Sequence, residues 1–347
     1  MSEAAGKFSD VAVVAIGRNE GERLRVCLQS VMGKASEVVY VDSGSSDGSV
    51  EMARGLGAKI VELDSGVPFT AARARNEGMK LAGDVPFVQF VDGDCQIVDG
   101  WLEAGRTALL EDEKLGVVCG RRRERYPERS IYNRLIDLEW DTPVGPAKQV
   151  GGDAMYRTAA FNAVGGFDAS VMAGEEPELC LRLRHAGWKI FRVGREMTLH
   201  DAAMLHFGQW WRRNVRTGFG MLDVSTRFCV GGERIYGKLT RSARIWTIGW
   251  MAAMIVAWAI GGRRWGPVAA GVIFLAVFAQ AARIAHVTFH RRKYPFGISI
   301  LHGLMTMLSK WAQLQGQVRY LADRASGKSG RLIEYKNSTR PAREMGT

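Results

Sequence analysis

Between residues 10 and 120, short Val- and Ile-rich runs alternate with stretches of helical spacing, and this alternation restricts the possible folds more than any other feature. Residues 11–16, 38–41, 59–63 and 86–91 read as strands. Residues 22–32, 49–56 and 71–81 carry helix-like spacing and few β-branched side chains. Such alternation implies right-handed βαβ units, a buried parallel sheet, and ligands bound beyond the carboxyl ends of the strands. The expected fold class is therefore α/β with a mostly parallel sheet. Asp42 stands at one such strand end, and Asp92 and Asp94 stand at another. Two carboxylates one residue apart repel unless a cation lies between them. Hard divalent cations, Mg²⁺ or Mn²⁺, prefer oxygen ligands. Taken alone, the pair also reads as a solvated acidic turn, since Asp-Gly is a common turn dipeptide.

The 347 residues suffice for one large or two modest domains. A balance of 47 basic against 36 acidic residues gives a net charge of +11, which suits anionic partners. Nucleic acid is not expected among them, because the basic residues cluster near the apolar segments and tail and no aromatic-basic RNA motif is present. The five cysteines (27, 95, 119, 180 and 229) are scattered without CxxC spacing, which argues against a disulfide framework or zinc site and for a reducing compartment. The N-terminus shows no apolar core of a cleaved signal peptide.

Residues 245–262 and 265–282 are apolar and free of charge, joined through Gly261-Gly262-Arg263-Arg264. Their length fits a membrane hairpin at the short end of the range, with Trp246, Trp250, Trp258 and Trp265 adding interfacial character. A helical hairpin buried in a soluble domain is the alternative. Arg234, Lys238, Arg241 and Arg244 before the pair, and Arg283, Arg291, Arg292 and Lys293 after it, outnumber Arg263 and Arg264 in the loop. This bias places the N-terminal domain on the cytoplasmic side of an inner (cytoplasmic) membrane. Residues 296–322 read as an amphipathic surface helix or a third span, and a basic tail follows from Arg324. The expected division is 1–232 for the ligand-binding domain, 233–294 for the hairpin, and 295–347 for the interfacial helix and tail.

Several residues carry chemistry beside a plainer structural role. Asp42, followed by Ser43-Gly44-Ser45-Ser46-Asp47-Gly48, can accept hydrogen bonds from a base or ribose, while Ser46 or Asp47 caps the next helix. Arg75, in Ala74-Arg75-Asn76-Glu77-Gly78, can reach a phosphate or simply face solvent. Gly151 and Gly152 permit a turn or a close approach of backbone. Glu175 and Glu176 before Pro177 suit a helix N-terminus, and a proton-transfer role as well. His200 is a ligand or a structural histidine. Gln209, Arg212 and Arg213 belong to an amphipathic helix with Trp210 and Trp211.

Taken in order, Ile16-Gly17-Arg18-Asn19-Glu20, the VDSGSSDG segment, the ARNEG segment and the VDGD pair resemble the nucleotide-binding half of family 2 inverting glycosyltransferases. That family has the GT-A fold, a Rossmann-like nucleotide-sugar-binding domain. Ile16 and Arg18 stand where the family has Pro and Tyr, and Ser43 replaces a second Asp. The resemblance implies that Ile16, Asn19 and Glu20 line the nucleotide-sugar site, that Asp42 contacts the nucleoside, and that Arg75 lies near the nucleotide. It also implies that Asp92 and Asp94 form the DxD pair, Asp94 being the more direct ligand of Mn²⁺ or Mg²⁺. His200 resembles a late histidine that completes the metal shell. Gly151 and Gly152 resemble the loop between donor and acceptor. Glu176 matches the family's general base, although Glu in place of Asp adds a methylene and leaves Glu175 as the alternative. Gln209 and Arg212 fall in register with the Gln-x-x-Arg-Trp motif of processive synthases, while Arg213 stands where Trp belongs; a role near the acceptor's pyrophosphate or the membrane boundary is expected.

The resemblance spans about residues 10–220. It implies metal-dependent inverting transfer from a nucleotide-diphosphate sugar, a UDP-sugar first and GDP-mannose second. The implied acceptor is a membrane lipid, a lipid-linked saccharide or a glycan in polysaccharide or glycolipid assembly. A sugar-nucleotide pyrophosphorylase is the alternative enzyme, but it wants a glycine-rich phosphate loop where GRNEGE stands. A non-catalytic membrane-bound nucleotide-sugar binder would be expected to lose the base or the DxD, and both are kept.

Overall fold

A computed structural model describes residues 7–327, and the chain forms two compact units. One runs to Leu205 and takes back Phe228–Ile235; the other takes His206–Arg227 and continues from Tyr236.

The first unit is built on a sheet of nine strands: β1 (Phe8–Gly17), β2 (Ala35–Asp42), β3 (Lys59–Glu62), β4 (Phe87–Asp92), β5 (Cys95–Ile97), β6 (Leu115–Glu124), β7 (Gly145–Pro146), β8 (Ala154–Arg157) and β9 (Lys189–His200). The spatial order is β3-β2-β1-β4-β8-β6-β9-β5, with β7 also on β9. The first four strands are parallel, as the strand–helix alternation predicts. Beyond β4 the sheet is mixed: β8 runs antiparallel to β4 and β6, β6 and β9 are parallel, and β5 returns antiparallel to β9. That half combines the short β5, β7 and β8 with the long β6 and β9, which carry charged residues inside them, so no continuous apolar run announces it.

Helices α1 (Glu22–Gln29), α2 (Ser49–Gly55), α3 (Ala71–Leu81), α4 (Trp101–Glu111), α5 (Ile131–Trp140), α6 (Thr158–Ala163) and α7 (Glu175–His185) belong to the same unit. Residues 11–15 of β1 are wholly buried, as an inner strand covered on both faces requires. Helix α3 begins at Thr70, whose hydroxyl accepts from the Arg73 amide. The helix lies so close to the sheet that a Cβ on Gly78 would sit 2.3 Å from Val14 Cγ1 and 2.8 Å from Val41 Cγ2. This glycine sets how near Arg75, one turn earlier, comes to the strand ends. A short hairpin of β10 (Cys229–Val230) and β11 (Glu233–Arg234) closes the unit. The five cysteines form no disulfide.

The second unit contains α8 (Phe207–Arg227), α9 (Gly237–Arg244), α10 (Trp250–His290) and α11 (Phe296–Ala325). Helix α10 is interrupted at Gly262, whose φ of 57° and ψ of −162° are not helical. The chain reverses there: a Cβ on Gly266 would lie 2.6 Å from the Trp258 carbonyl, and Trp250 Nε1 donates to the Ile273 carbonyl at 2.9 Å. The two arms expose apolar side chains, including Ile255, Ile260, Val272 and Leu275, and the stretch is long and apolar enough to cross a bilayer. Helices α8 and α11 cross through reciprocal glycines. A Cβ on Gly218 would meet the Gln313 carbonyl at 2.0 Å, and one on Gly316 the Val215 carbonyl at 2.0 Å. The basic tail expected from Arg324 lies, beyond residue 327, outside the described residues.

Candidate active site

Strand β4 delivers Asp92 as its last residue, and Gly93 turns the chain toward Asp94. The Gly93 amide donates to the Ile16 carbonyl at 2.7 Å, and a Cβ there would sit 3.1 Å from the same oxygen. Strand β5 then pairs with the end of β9 so that Cys95 opposes His200. The result is that Asp94 Oδ2 and His200 Nε2, both from nearly buried residues, stand 3.0 Å apart. An ionised carboxylate oxygen and an unprotonated imidazole nitrogen at that separation need a proton or a cation between them. The oxygen–nitrogen donor set fits a divalent ion such as Mn²⁺. Cys95 Sγ lies within the same group of potential ligand atoms. Burial, only partly opposed by Arg122, pushes its thiol well up, so it stays protonated beside them.

Asp92 is placed differently. Its Oδ1 accepts from Arg75 Nη2 at 2.9 Å and its Oδ2 from Arg122 Nη2 at 3.3 Å. Arg122 lies over the Trp140 ring at 4.6 Å, with Nε 3.5 Å from Asp153 Oδ2. Asp153 in turn accepts from the Asp92 amide at 3.0 Å and from Thr198 Oγ1 at 2.7 Å. Asp92 thus groups with Cys95 and Asp153, and Asp94 with Cys95 and His200. Gly152 closes over this point: a Cβ there would lie 2.5 Å from Arg75 Nη2 and 2.8 Å from Asp92 Oδ2. Its neighbour Gly151 is exposed, with open space where a Cβ would be.

Arg75 joins the strand ends to α7. Only 2% exposed, it donates from Nη1 to Glu175 Oε1 at 2.9 Å and lies 3.4 Å from Glu176 Oε1. Burial opposes its charge, but Glu176, Asp92 and Glu175 outweigh that and raise its pKa. The family resemblance implies a place near the nucleotide for Arg75; in the structure its guanidinium meets three carboxylates of its own chain. Helix α7 starts after Gly174 in the left-handed region, at φ 93°, and carries Glu175, Glu176 and Glu178 in its first turn, where the helix dipole favours acids. Burial, then the Glu175 charge, raises the Glu176 carboxyl to about 7, against the opposing pull of Arg75.

Asp42 and Asn19 lie in a tied pair of loops. Asp42 is buried and accepts from Tyr40 Oη at 2.7 Å, the Gly44 amide at 2.8 Å, the Ser45 amide at 2.7 Å and Ser45 Oγ. Asn19, at φ 55°, donates its amide to Ser45 Oγ and accepts at Oδ1 from the Ser46 amide, each at 2.8 Å. Glu20 is nearly buried and pairs with Arg23 at 2.8 Å. Ile16 sits opposite Asp92 in the β1–β4 register. Asp42 therefore shapes the loop that follows it; its oxygens face the chain itself. Gln209, Arg212 and Arg213 lie in the other unit, on α8. There Gln209 Oε1 accepts from the His206 amide at 3.0 Å, closing the start of that helix.

Arg122, Asp153 and Glu124 were not singled out by sequence reasoning. The run Arg121-Arg122-Arg123-Glu124-Arg125 reads as a solvated charge run, yet it is the end of β6. Period two separates its faces: Arg121 and Arg123 pair with Asp137 and Glu196, while Arg122 and Glu124 turn to the site. Asp153 follows Gly151 and Gly152 directly, and its position beside that loop was the available clue.

Residues 12–165 match Glycosyl transferase family 2. Over 229 residues the chain is 25% identical to glycosyltransferase AglE of Haloferax volcanii, covering 62% of this chain and 73% of that protein. It is 31% identical over 206 residues to the pre-mycofactocin glycosyltransferase of Mycobacterium tuberculosis, covering 55% of this chain and 43% of that one. Among solved structures, the fold is similar to that of mannosyltransferase PcManGT from Pyrobaculum calidifontis, solved with GDP-Man and Mn²⁺. The TM-score is 0.57 at 16% identity, covering 93% of this chain and 91% of that one. The strand order and the carboxylates gathered at the strand ends agree with these matches: over residues 12–165 the chain is similar to glycosyl transferase family 2.

Proposed function

We propose that this protein transfers a sugar from a nucleotide-diphosphate sugar to a membrane-bound acceptor, inverting the anomeric carbon, with Glu176 as the base. The observation that carries this reading is the setting of Glu176. Its side chain is 16% exposed where that of Glu175 is 6%, and its carboxyl is raised to about 7, close to where a general base works best. Glu175 Oε1 instead accepts from Arg75 Nη1, which suits a supporting role.

The acceptor oxygen bonds to the anomeric carbon as the bond from that carbon to the diphosphate breaks. The acceptor proton passes to Glu176, and the departing nucleoside diphosphate keeps the electron pair. One displacement with one base gives inversion. Asp94 and His200 would hold Mn²⁺ or Mg²⁺, which when bound offsets charge on the departing diphosphate. Arg75 and Arg122 fix Asp92 at the mouth of this site. Ile16, Asn19, Glu20 and the loop organised by Asp42 form the nucleoside wall, and Gly151 and Gly152 leave room for the sugar. The neighbour of like fold was solved with GDP-Man and Mn²⁺, which sets GDP-mannose beside UDP-sugars as the donors to test first. Direct contact between Asp42 and a nucleoside requires Tyr40 or Ser45 to give up a hydrogen bond.

The exposed apolar arms of α10 support insertion in the inner membrane, and the basic flanks support a catalytic domain facing the cytoplasm. The acceptor is then a lipid or lipid-linked saccharide, with Gln209, Arg212 and Arg213 assigned to its phosphate side or to the membrane boundary. The test is a panel of UDP- and GDP-sugars with membrane lipid extract and Mn²⁺ or Mg²⁺, following nucleoside diphosphate release from the full chain. Release from one donor, lost in EDTA and in Asp94→Ala, is expected. Undiminished activity in EDTA would remove the metal, and wild-type turnover in Glu176→Gln beside loss in Glu175→Gln would move the base by one residue.

A further inference from the structure

Glu124 has a place in this site that the base, the donor loops and the ion pairs leave unexplained. It ends β6, where the parallel register sets it directly opposite His200 on β9. It is 1% exposed. Its Oε1 accepts from the Tyr126 amide and from Asn133 Nδ2, both at 3.1 Å. Its Oε2 accepts from the Ala202 amide at 3.1 Å and faces His200 Nδ1 at 3.6 Å. Asn133 is itself fixed, donating to the Tyr126 carbonyl and accepting from the Met204 amide, each at 3.0 Å. Three donors therefore immobilise the carboxylate, with Oε2 turned to the imidazole. On the imidazole side, Nδ1 is buried and has no hydrogen-bond partner among the described residues, and Trp140 holds the ring edge-on at 4.6 Å. The other ring nitrogen, Nε2, faces Asp94.

We propose that Glu124 is a positioning residue for the divalent ion: it holds the proton of His200 on Nδ1 and so turns the Nε2 lone pair toward the ion beside Asp94. This rests on the reading that Asp94 and His200 hold that ion. A gap of 3.6 Å closes to a charge-assisted hydrogen bond with a shift of well under about 1 Å. Carboxylates behind a ligating imidazole fix both tautomer and ring orientation, and their loss weakens metal binding by about 10–100-fold. A glutamine of the same shape can keep its carbonyl oxygen on Tyr126 and Asn133. Its amide nitrogen then gives up the bond from the Ala202 amide, faces Nδ1 and donates to it, which puts the imidazole proton on Nε2, where the ion should bind.

The experiment is a direct Mn²⁺ titration of the full chain without donor, reading free Mn²⁺ by electron paramagnetic resonance, beside thermal unfolding without metal. Wild type, Glu124→Gln, Asn133→Ala and Asp94→Ala are compared. Glu124→Gln is expected to weaken Mn²⁺ binding about 10–100-fold. Asn133→Ala, which removes a neighbour of the same carboxylate but leaves Oε2 in place, is expected to unfold earlier with its Mn²⁺ affinity within about threefold of wild type. Wild-type affinity in Glu124→Gln, together with a loss in Asp94→Ala, overturns this inference alone. Equal weakening by Asn133→Ala and Glu124→Gln also overturns it, since packing would then explain both. No Mn²⁺ binding by wild type, or unchanged binding by Asp94→Ala, overturns the metal assignment and this inference with it.

Discussion

Replacing Glu176 by Gln should lower activity and raise stability in the same protein, and both effects follow from one raised carboxyl. Burial and the Glu175 charge hold Glu176 near 7 instead of its usual 4.5. At 1.36 kcal/mol per pKa unit, that shift corresponds to about 3 kcal/mol favouring the protonated form in the folded protein. A folded-state pKa above the unfolded one contributes stability that is complete below about pH 4.5 and is lost as pH rises through about 7. Above that, wild type carries an ionised, poorly hydrated carboxylate that the variant lacks. Glu176→Gln should therefore melt later than wild type at about pH 8, with the difference vanishing near pH 4.5. Activity runs the other way. Wild-type kcat/KM should fall about tenfold per pH unit below pH 7, and the variant should lose about 10²–10⁴-fold on the plateau along with that limb. The assays are nucleoside diphosphate release across pH 5–9 and thermal unfolding at the two extremes, all in one buffer series. A flat wild-type profile below about pH 7, or a variant less stable than wild type at about pH 8, would refute the reasoning.

Gly152→Ala should strip activity while leaving most of the fold, because its Cβ would lie 2.5 Å from Arg75 Nη2, and that guanidinium is pinned by Glu175 and Asp92; steady-state kinetics with near-native melting would confirm it, and wild-type kcat/KM would contradict it. Gly78→Ala pushes a methyl to 2.3 Å from Val14 Cγ1 and should cost about 1–3 kcal/mol, read as a lower melting temperature of the α/β unit. Gly316→Val should fall at or beyond the upper end of about 1–3 kcal/mol, because its Cβ meets backbone at Val215, which no rotamer change relieves; unchanged thermal unfolding would show that α8 and α11 do not cross so closely.

The parallel half of the sheet was legible because β1, β2 and β4 are buried on both faces and so spell continuous Val and Ile runs. The spacing of residues 71–81 predicts a helix, and α3 covers that segment. The mixed half was not legible. Strand β6 ends in Arg121-Arg122-Arg123-Glu124, and only the alternation of its faces separates the pair turned to the site from the pair turned to Asp137 and Glu196. The closeness of Asp94 to His200 could be expected from the family pattern. The grip of Arg122 on Asp92 could not, since the two residues are thirty positions apart and meet only through the strand order. The glycines at 218 and 316 look like ordinary helix-weakening residues until the two backbones are seen in contact.

Arg75 spans the distance between a strand-end aspartate and the carboxylates at the start of a helix, and that span has a consequence for how the reaction can be followed. Asp92 and the carboxylates of α7 answer to one shared positive charge, and the Asp92 charge contributes to holding the Glu176 carboxyl up. A change confined to one side is therefore readable at the other. In Asp92→Asn, the acidic limb of the rate profile should move to lower pH although the altered side chain never touches the base. The titration of Glu176 becomes a voltmeter for the other half of the active site.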